Sequence, residues 1–345
     1  MYGEVDYEAA KLRNLPRQQM LDQKGEFINR APESIRGKFF KQADKIVLAE
    51  LQEKGLVYKA LPFTHSYPHC WRCGTPLYYS ALPAWFISIQ KIKPQLLDNN
   101  ESINWYPEHL KHGRFQKGIE SAPDWNITRN RYWATALPFW KCEGNSKNEC
   151  DNVVCLGSIA ELKEGATNFD EVYPNYDPAN LEALDLHKPY IDKVLLKCDK
   201  CEARGSQNVM VRIPEVIDCW VESGSMPFAE LHAPFENEEL FKKRFPSDFV
   251  VEYIPQTRAW FYVMHVVSTL LFGKAPFRNV MTTGTILAED GSKMSKSKKN
   301  YADPMETISQ YGADSLRFYL LTSPVINGED LNFSEKGVNE VSRKL

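Results

Sequence analysis

Apolar positions recur at helical spacing through SIRGKFFKQADKIVLAELQEKG (34–55), and Gly55 stands where a C-terminal cap belongs. The residues before it are polar and read as turns. Residues 61–83, dense in Pro, Cys and aromatic side chains, predict no regular element. Residues 141–212 hold short apolar runs between Gly-containing turns. From about residue 213 the pattern changes. DFVVEYI (248–254) predicts a buried strand, TRAWFYVMHVVSTLLF (257–272) a helix and NVMTTGTIL (279–287) a second strand. DPMETISQYGADSLRFYLLTS (303–323) predicts a helix with Asp303 as N-cap and Pro304 at its first position. Strand, helix, strand, loop, helix is the order of a parallel α/β sheet, whose ligands sit outside the carboxyl ends of the strands.

Composition narrows the class. The 345 residues are 43% hydrophobic, enough for a sizeable core and two or three domains. A formal net charge of −3 excludes a molecule-wide basic footprint for nucleic acid, so any such contact is local. The charged start MYGEVDYEAAKLRNLPRQQ does not read as a signal peptide. The run Ala259–Gly273 is too short to span a bilayer. A soluble, cytoplasmic monomer is expected. Among eight cysteines, two pairs are C-x-x-C, Cys70/Cys73 and Cys198/Cys201, which favours metal ligation over a disulfide framework.

One short stretch carries chemistry: EDGSKMSKSKKN (289–300). Lys293, Lys296, Lys298 and Lys299 crowd together, interleaved with Ser292, Ser295 and Ser297. On charge alone such a run is solvated surface. Its place after the carboxyl end of a predicted strand is where a nucleotide would bind.

KMSKS (293–297), preceded by GTILAEDG, resembles the nucleotide loop of class I aminoacyl-tRNA synthetases. HSYPHCWRCGTPLYY (65–79), DWNITRNRYWATALPFW (124–140), IDCWVESGSMPF (217–228), QTRAWFY (256–262) and YGADSLRFYL (311–320) are similar, in order, to segments of the isoleucyl-tRNA synthetase family. That resemblance covers nearly the whole chain. It implies an α/β fold: the C-terminal half of a Rossmann-like catalytic domain, with a zinc-pinned insert and the tail of an editing domain. The implied boundaries are 1–60 for the editing tail and return helix, 61–140 for a catalytic segment and 141–212 for the insert. Residues 213–325 form the second catalytic half, and 326–345 open a helical junction.

The resemblance also implies substrates and roles: ATP with Mg2+, isoleucine and tRNA(Ile). A carboxylate attacks the α-phosphorus of ATP and expels pyrophosphate. Lys293 and Lys296 would stabilise the leaving phosphates, with Ser295, Ser297 and Gly284 completing the ATP site. Trp220 and Trp260 match the two tryptophans of the isoleucine pocket, although core packing is the alternative for any single Trp. Glu252 and Gln256 match polar adenylate contacts. The surrounding EYIPQTRAWF departs from the family pattern E-G-x-D-Q-T-R-G-W-F at Tyr253, Pro255 and Ala259, and Pro255 removes a carboxylate and a backbone donor. Ala134 and Ala136 likewise stand where Gly and Pro are usual, so a divergent branch is expected. Asp6 matches the editing-site aspartate.

Cys142, Cys150, Cys198 and Cys201 resemble one four-sulfur zinc site, the first pair stretched by EGNSKNE. Cys155 is the rival to Cys150; with Cys150 chosen, Cys155 and Cys219 read as buried thiols. Cys70 and Cys73 resemble half of a second zinc site without its upstream pair, or two buried free thiols. None of the seven histidines forms the H-x-G-H of the class, so an incomplete enzyme, inactive alone, is expected. Two rivals stay open: a valyl- or leucyl-tRNA synthetase, and a non-catalytic zinc-pinned module that binds tRNA or protein.

Overall fold

Residues Glu4–Leu12 form a helix, α1, in a stretch whose polarity predicts turns. The spacing over 34–55 produces helix α2, Phe40–Glu53, with turns over 34–38. Gly55 closes it in the left-handed conformation, φ +67°, donating its N–H to the Gln52 carbonyl at 3.0 Å. The structure is a computed structural model that describes residues 4–70, 73–80, 82–144, 149–181, 184–295 and 299–345. It divides into two units, Met1–Pro83 and Ala84–Leu345. In the first, Ala43 of α2 packs with Ala31 and Ile35. Residues 61–68 adopt no regular element.

The second unit begins with helix α3 (Ile89–Glu101), strand β1 (Asn104–Tyr106) and helix α4 (Gln116–Ser121). Then comes a small antiparallel sheet of β2 (Phe139–Cys142), β3 (Val153–Cys155), β4 (Leu196–Lys197) and β5 (Val209–Arg212), in the order β3-β2-β5-β4. It has its own core, with Trp140, Phe169, Val194 and Met210 buried. The Trp140 indole donates to the Val194 carbonyl at 2.9 Å, satisfying its only polar atom.

Helix α5 (Cys219–Gly224) leads to the parallel unit: β6 (Ser247–Tyr253), α6 (Trp260–Phe272) and β7 (Phe277–Thr283). The sheet order is β6-β7-β1, all parallel, with Val250 opposite Val280 and Val280 opposite Trp105. Phe261, Met264, Phe277, Val280, Trp105 and Phe115 form the core beneath it. Strand β6 is an edge and is mostly exposed, contrary to the buried strand its apolar run predicts; Phe249 is 58% and Val251 47% exposed. The reason is topological: three strands leave β6 with one neighbour, and among the described residues the core covers one face of the sheet.

The predicted strand 279–287 is two pieces, β7 and β8 (Ile286–Leu287). Gly284 breaks it: a Cβ there would lie 1.7 Å from the Glu329 carbonyl oxygen. The predicted helix 303–323 is also two, α7 (Pro304–Tyr311) and α8 (Ala313–Leu321), parted at Gly312, φ +87°. Asp303 caps α7, accepting from the Met305 N–H at 2.7 Å. Strand β9 (Leu331–Asn332) pairs with β8, and helix α9 (Glu335–Ser342) follows. Helix α6 is buried almost all round and carries His265, whose Nε2–H donates to the Leu96 carbonyl at 2.8 Å. Burial holds the His265 imidazole neutral, its pKa lowered to about 4. No helix among the described residues is long and apolar enough to cross a membrane.

Candidate functional site

Strands β6 and β7 end side by side at Tyr253 and Thr283. Beyond them lies a cavity of about 570 Å³ lined by Tyr253, Thr283, Gly284, Lys293 and Met294, with Leu320 and Val325 behind. Gly284 donates its N–H to the Val325 carbonyl at 2.7 Å, so the chain after β7 is clamped to the segment after α8. The lysine loop rises from this clamp. Its first turn is held by the Gly291 N–H on the Ala288 carbonyl (2.8 Å) and by Asp290 Oδ1 on the Ser292 N–H (2.9 Å).

A residue that sequence reasoning missed closes the loop. Asn300 Oδ1 accepts the Ser295 N–H at 2.9 Å, and its amide donates to Ser292 Oγ (3.0 Å) and to the Lys293 carbonyl (3.1 Å). Lys299 donates to the Ser295 carbonyl at 3.0 Å in the left-handed region, φ +50°. The only sequence signal was an amide at the end of a charged run, the residue type that bonds local backbone. Lys296 and Ser297 lie outside the described residues.

The other expected contacts lie on β6, α5 and the start of α6. Gln256 Oε1 accepts the Trp260 N–H at 2.9 Å, so this side chain caps α6. Glu252 is exposed on β6, with Oε2 3.4 Å from the Tyr253 N–H. Trp260 donates its indole N–H to the Ser223 carbonyl at 3.0 Å, tying α6 to α5, and Trp220 stands near the start of α5, 38% exposed. Helices α5 and α6 pack closely because Gly224 has no side chain: a Cβ there would lie 3.1 Å from the Val263 carbonyl oxygen. The buried Asp218 caps α5 and pairs with Arg129 at 2.7 Å. Asp6 is exposed on α1, in the first unit.

The thiols assemble elsewhere. Cys142, Cys150, Cys198 and Cys201 bring their sulfurs within 4.8 Å of one another. Cys142 and Cys201 are 3.7 Å apart, and Cys150 and Cys198 3.8 Å. N–H groups point at three of the sulfurs: Gly144 at Cys142 (3.4 Å), Asn152 at Cys198 (3.5 Å) and Asn208 at Cys201 (3.3 Å). Burial pushes the Cys142 thiol up to about 12. At Cys198 burial acts the same way, but the Cys201 N–H and the Asn152 amide outweigh it and hold the thiol at about 7. A dication would resolve that conflict, and the cluster could hold one.

Three expectations fail here. Cys155 is exposed on edge strand β3, outside the cluster, and Cys219 is exposed at the first position of α5; neither is a buried thiol. Nor are Cys70 and Cys73 buried: Cys70 is half-exposed and Cys73 exposed, on an irregular turn with no layer above it among the described residues. Thr75 holds the Cys73 thiol below its ordinary range, its Oγ1 lying 3.1 Å from the sulfur.

Residues 32–334 match the family model of tRNA synthetases class I (I, L, M and V). The chain belongs to that family. This synthetase chain is 44% identical over 344 residues to the isoleucine--tRNA ligase of Treponema denticola, covering 100% of this chain and 29% of that protein. It is 45% identical over 345 residues to the isoleucine--tRNA ligase of Bacillus thuringiensis (strain Al Hakam), again over 100% of its length and 31% of the relative's. The chain thus spans under a third of the length of these curated relatives. Among solved structures, the ternary complex of the Agrobacterium radiobacter K84 LeuRS with tRNA and LeuAMS matches 65% of this chain and 27% of that one, at 21% identity and a TM-score of 0.41.

Proposed function

We propose that the chain supplies the phosphate-stabilising loop of an isoleucine--tRNA ligase. The observation that carries this reading is Lys293, which lines the cavity beyond the parallel strands together with Gly284 and Thr283. There its ammonium would meet the phosphates of ATP, brought in with Mg2+. As the isoleucine carboxylate attacks the α-phosphorus, the bond to pyrophosphate breaks and charge builds on the leaving oxygens. A cation braced beforehand stabilises that charge without reorganising at the moment of reaction. Ser295 holds the loop through Asn300; Lys296 and Ser297 would add a second cation and a hydroxyl. The name borne by both relatives supports isoleucine over valine or leucine, and transfer to tRNA(Ile) is the step that would follow.

Trp220 and Trp260 would wall the amino-acid side, Glu252 and Gln256 would contact the adenylate, and Asp6 would serve editing. A purely apolar pocket separates isoleucine from valine only by about 150-fold, a magnitude quoted for this very enzyme family, which is why hydrolytic editing belongs with it. The four thiols suit zinc. A tetrahedral centre with metal–sulfur bonds of about 2.3 Å puts sulfurs about 3.8 Å apart, and the structure has pairs at 3.7 and 3.8 Å. Zinc there would pin the end of β2 and the loop before β3 to the turn after β4, and would take no part in the chemistry. The non-catalytic module is the second reading, and the exposure of Glu252 and Trp220 favours it.

The test places this chain in the matching segment of the Treponema denticola ligase and follows isoleucine-dependent exchange of pyrophosphate into ATP. Lys293→Ala should lower the rate about 100- to 1,000-fold with little change in isoleucine binding. Unchanged exchange in Lys293→Ala would sink the catalytic reading and leave the module.

A further inference from the structure

Between α2 and the Cys70–Cys73 turn, aromatic residues alternate in sequence: Phe63, His65, Tyr67 and His69. Their rings form a ladder. Centroids are 5.7 Å apart for Phe63 and His65, 6.1 Å for His65 and Tyr67, and 5.7 Å for Tyr67 and His69. The first pair is stacked at 17° and the next two meet edge-on. No core among the described residues explains them, because Phe63 is 83% exposed, both histidines are exposed and Tyr67 is half-buried.

Exposed rings are ordinarily loose, but three of these are pinned. The Nδ1–H of His65 donates to the Ser66 carbonyl and that of His69 to the Tyr67 carbonyl, both at 2.9 Å. The Tyr67 hydroxyl donates to the Leu77 carbonyl at 2.6 Å. Lys41 of α2 places its ammonium 3.6 Å from the Tyr67 ring centroid. Pro62 and Pro68 restrict the backbone on either side. Rings held in order while facing solvent lose little entropy when a flat partner stacks on them.

Charge selects the partner. The unit Met1–Pro83 carries 12 Lys and Arg against 9 Asp and Glu, formally +3, whereas the rest carries 30 against 36, formally −6. We infer that the ladder is a stacking platform for unpaired nucleotides of an RNA strand. Every base has a π-face, so such a platform tolerates sequence, and Lys41 supplies a cation beside it. The inference rests on the proposed function only for which RNA arrives, a tRNA and its unpaired residues. A proline-rich peptide also favours aromatic strips, but it gains nothing from the positive surplus.

The experiment uses the full 345-residue chain. Fluorescence anisotropy would follow an unpaired RNA octamer, a blunt RNA hairpin and a proline-rich peptide. The octamer should bind at least tenfold tighter than the hairpin. Phe63→Ala should weaken it about tenfold, and Phe63→Ala with Tyr67→Ala about 100-fold. Phe63→Trp should restore or exceed wild-type binding, which a structural role for Phe63 would not produce. Circular dichroism checks folding; if the double variant is unfolded, the exposed Phe63→Ala and Phe63→Trp pair decides alone. Equal octamer binding by wild type and Phe63→Ala, or a peptide that binds in its place, would overturn the inference. Exchange unchanged in Lys293→Ala with octamer binding intact counts against the proposed function only; exchange that falls in Lys293→Ala with octamer binding absent counts against the ladder only.

Discussion

The thiol cluster and the lysine loop each gather four like-charged or ionisable groups, and they do so in opposite ways. The thiols come from two turns far apart in sequence; three are buried, and the four crowd within 4.8 Å. The lysines fall within seven residues of sequence; of the described ones, Lys293 and Lys299 are exposed, and Asn300 braces the described part of their loop. Buried thiolates need a counter-ion at all times, so the cluster, if it takes the metal it could hold, would act as a structural pin. Exposed like charges repel weakly in water and can wait for a polyanion, which makes the loop a candidate for chemistry.

The largest effect should come from breaking the buried side. Cys198→Ser should reduce zinc from one per chain to near zero by metal analysis and unfold the β2–β5 sheet, a loss worth several kcal/mol. Cys155→Ser and Cys70→Ser should leave the zinc count unchanged; if Cys155→Ser removes it and Cys150→Ser does not, the ligand set is wrong.

A pH titration separates the cluster from the ordinary core. His265 has a lowered folded pKa, about 4, against 6.5 unfolded. Its contribution is therefore full above about pH 6.5 and is lost as the pH falls toward 4, by roughly 3 kcal/mol in all. Urea unfolding of the metal-loaded chain between pH 7 and 4 should show this slope, and His265→Gln should flatten it. An unchanged slope in that variant would show that His265 is not the source of the acid sensitivity.

At the base of the lysine loop, Gly284→Ala should cost about 3 kcal/mol, because its Cβ meets backbone and not a side chain that could move. Thermal unfolding measures this, and a shift under 1 °C would mean that the clamp after β7 is softer than its geometry. The smallest effect belongs to Asn300→Ala, roughly 1 kcal/mol of local stability. Trypsin should then cut after Lys293 several-fold faster with global stability unchanged, whereas equal cleavage would show that the loop keeps its shape without the amide.

Much of this was legible beforehand, for different reasons in different places. Helix α6 and strands β6 and β7 follow from apolar runs bounded by turns, and Asp303 and Gly55 act where their types predict. The lysine loop was legible because its residues are adjacent, so local order alone carries the pattern. Burial was less so. DFVVEYI reads as a buried strand, yet an apolar run cannot say whether it will have one neighbour or two, and among the described residues β6 has one. The breaks at Gly284 and Gly312 were missed because glycine is permissive as well as disruptive. Only the approach of Glu329 shows which role Gly284 plays.

By itself, then, the sequence determined the family, the parallel α/β order and the residue types of both charged groups, because these reside in local pattern and in adjacency. The choice of Cys150 over Cys155 beside Cys142, Cys198 and Cys201, made from the sequence, is the set the fold brings together; the tertiary structure alone decided that Cys155 and Cys219 face solvent and that Gln256 serves a helix end. It also decided that Asn300 braces the loop. Each of these is a distance between groups whose separation along the chain says little about their separation in space, and such distances are set by the packing of whole elements.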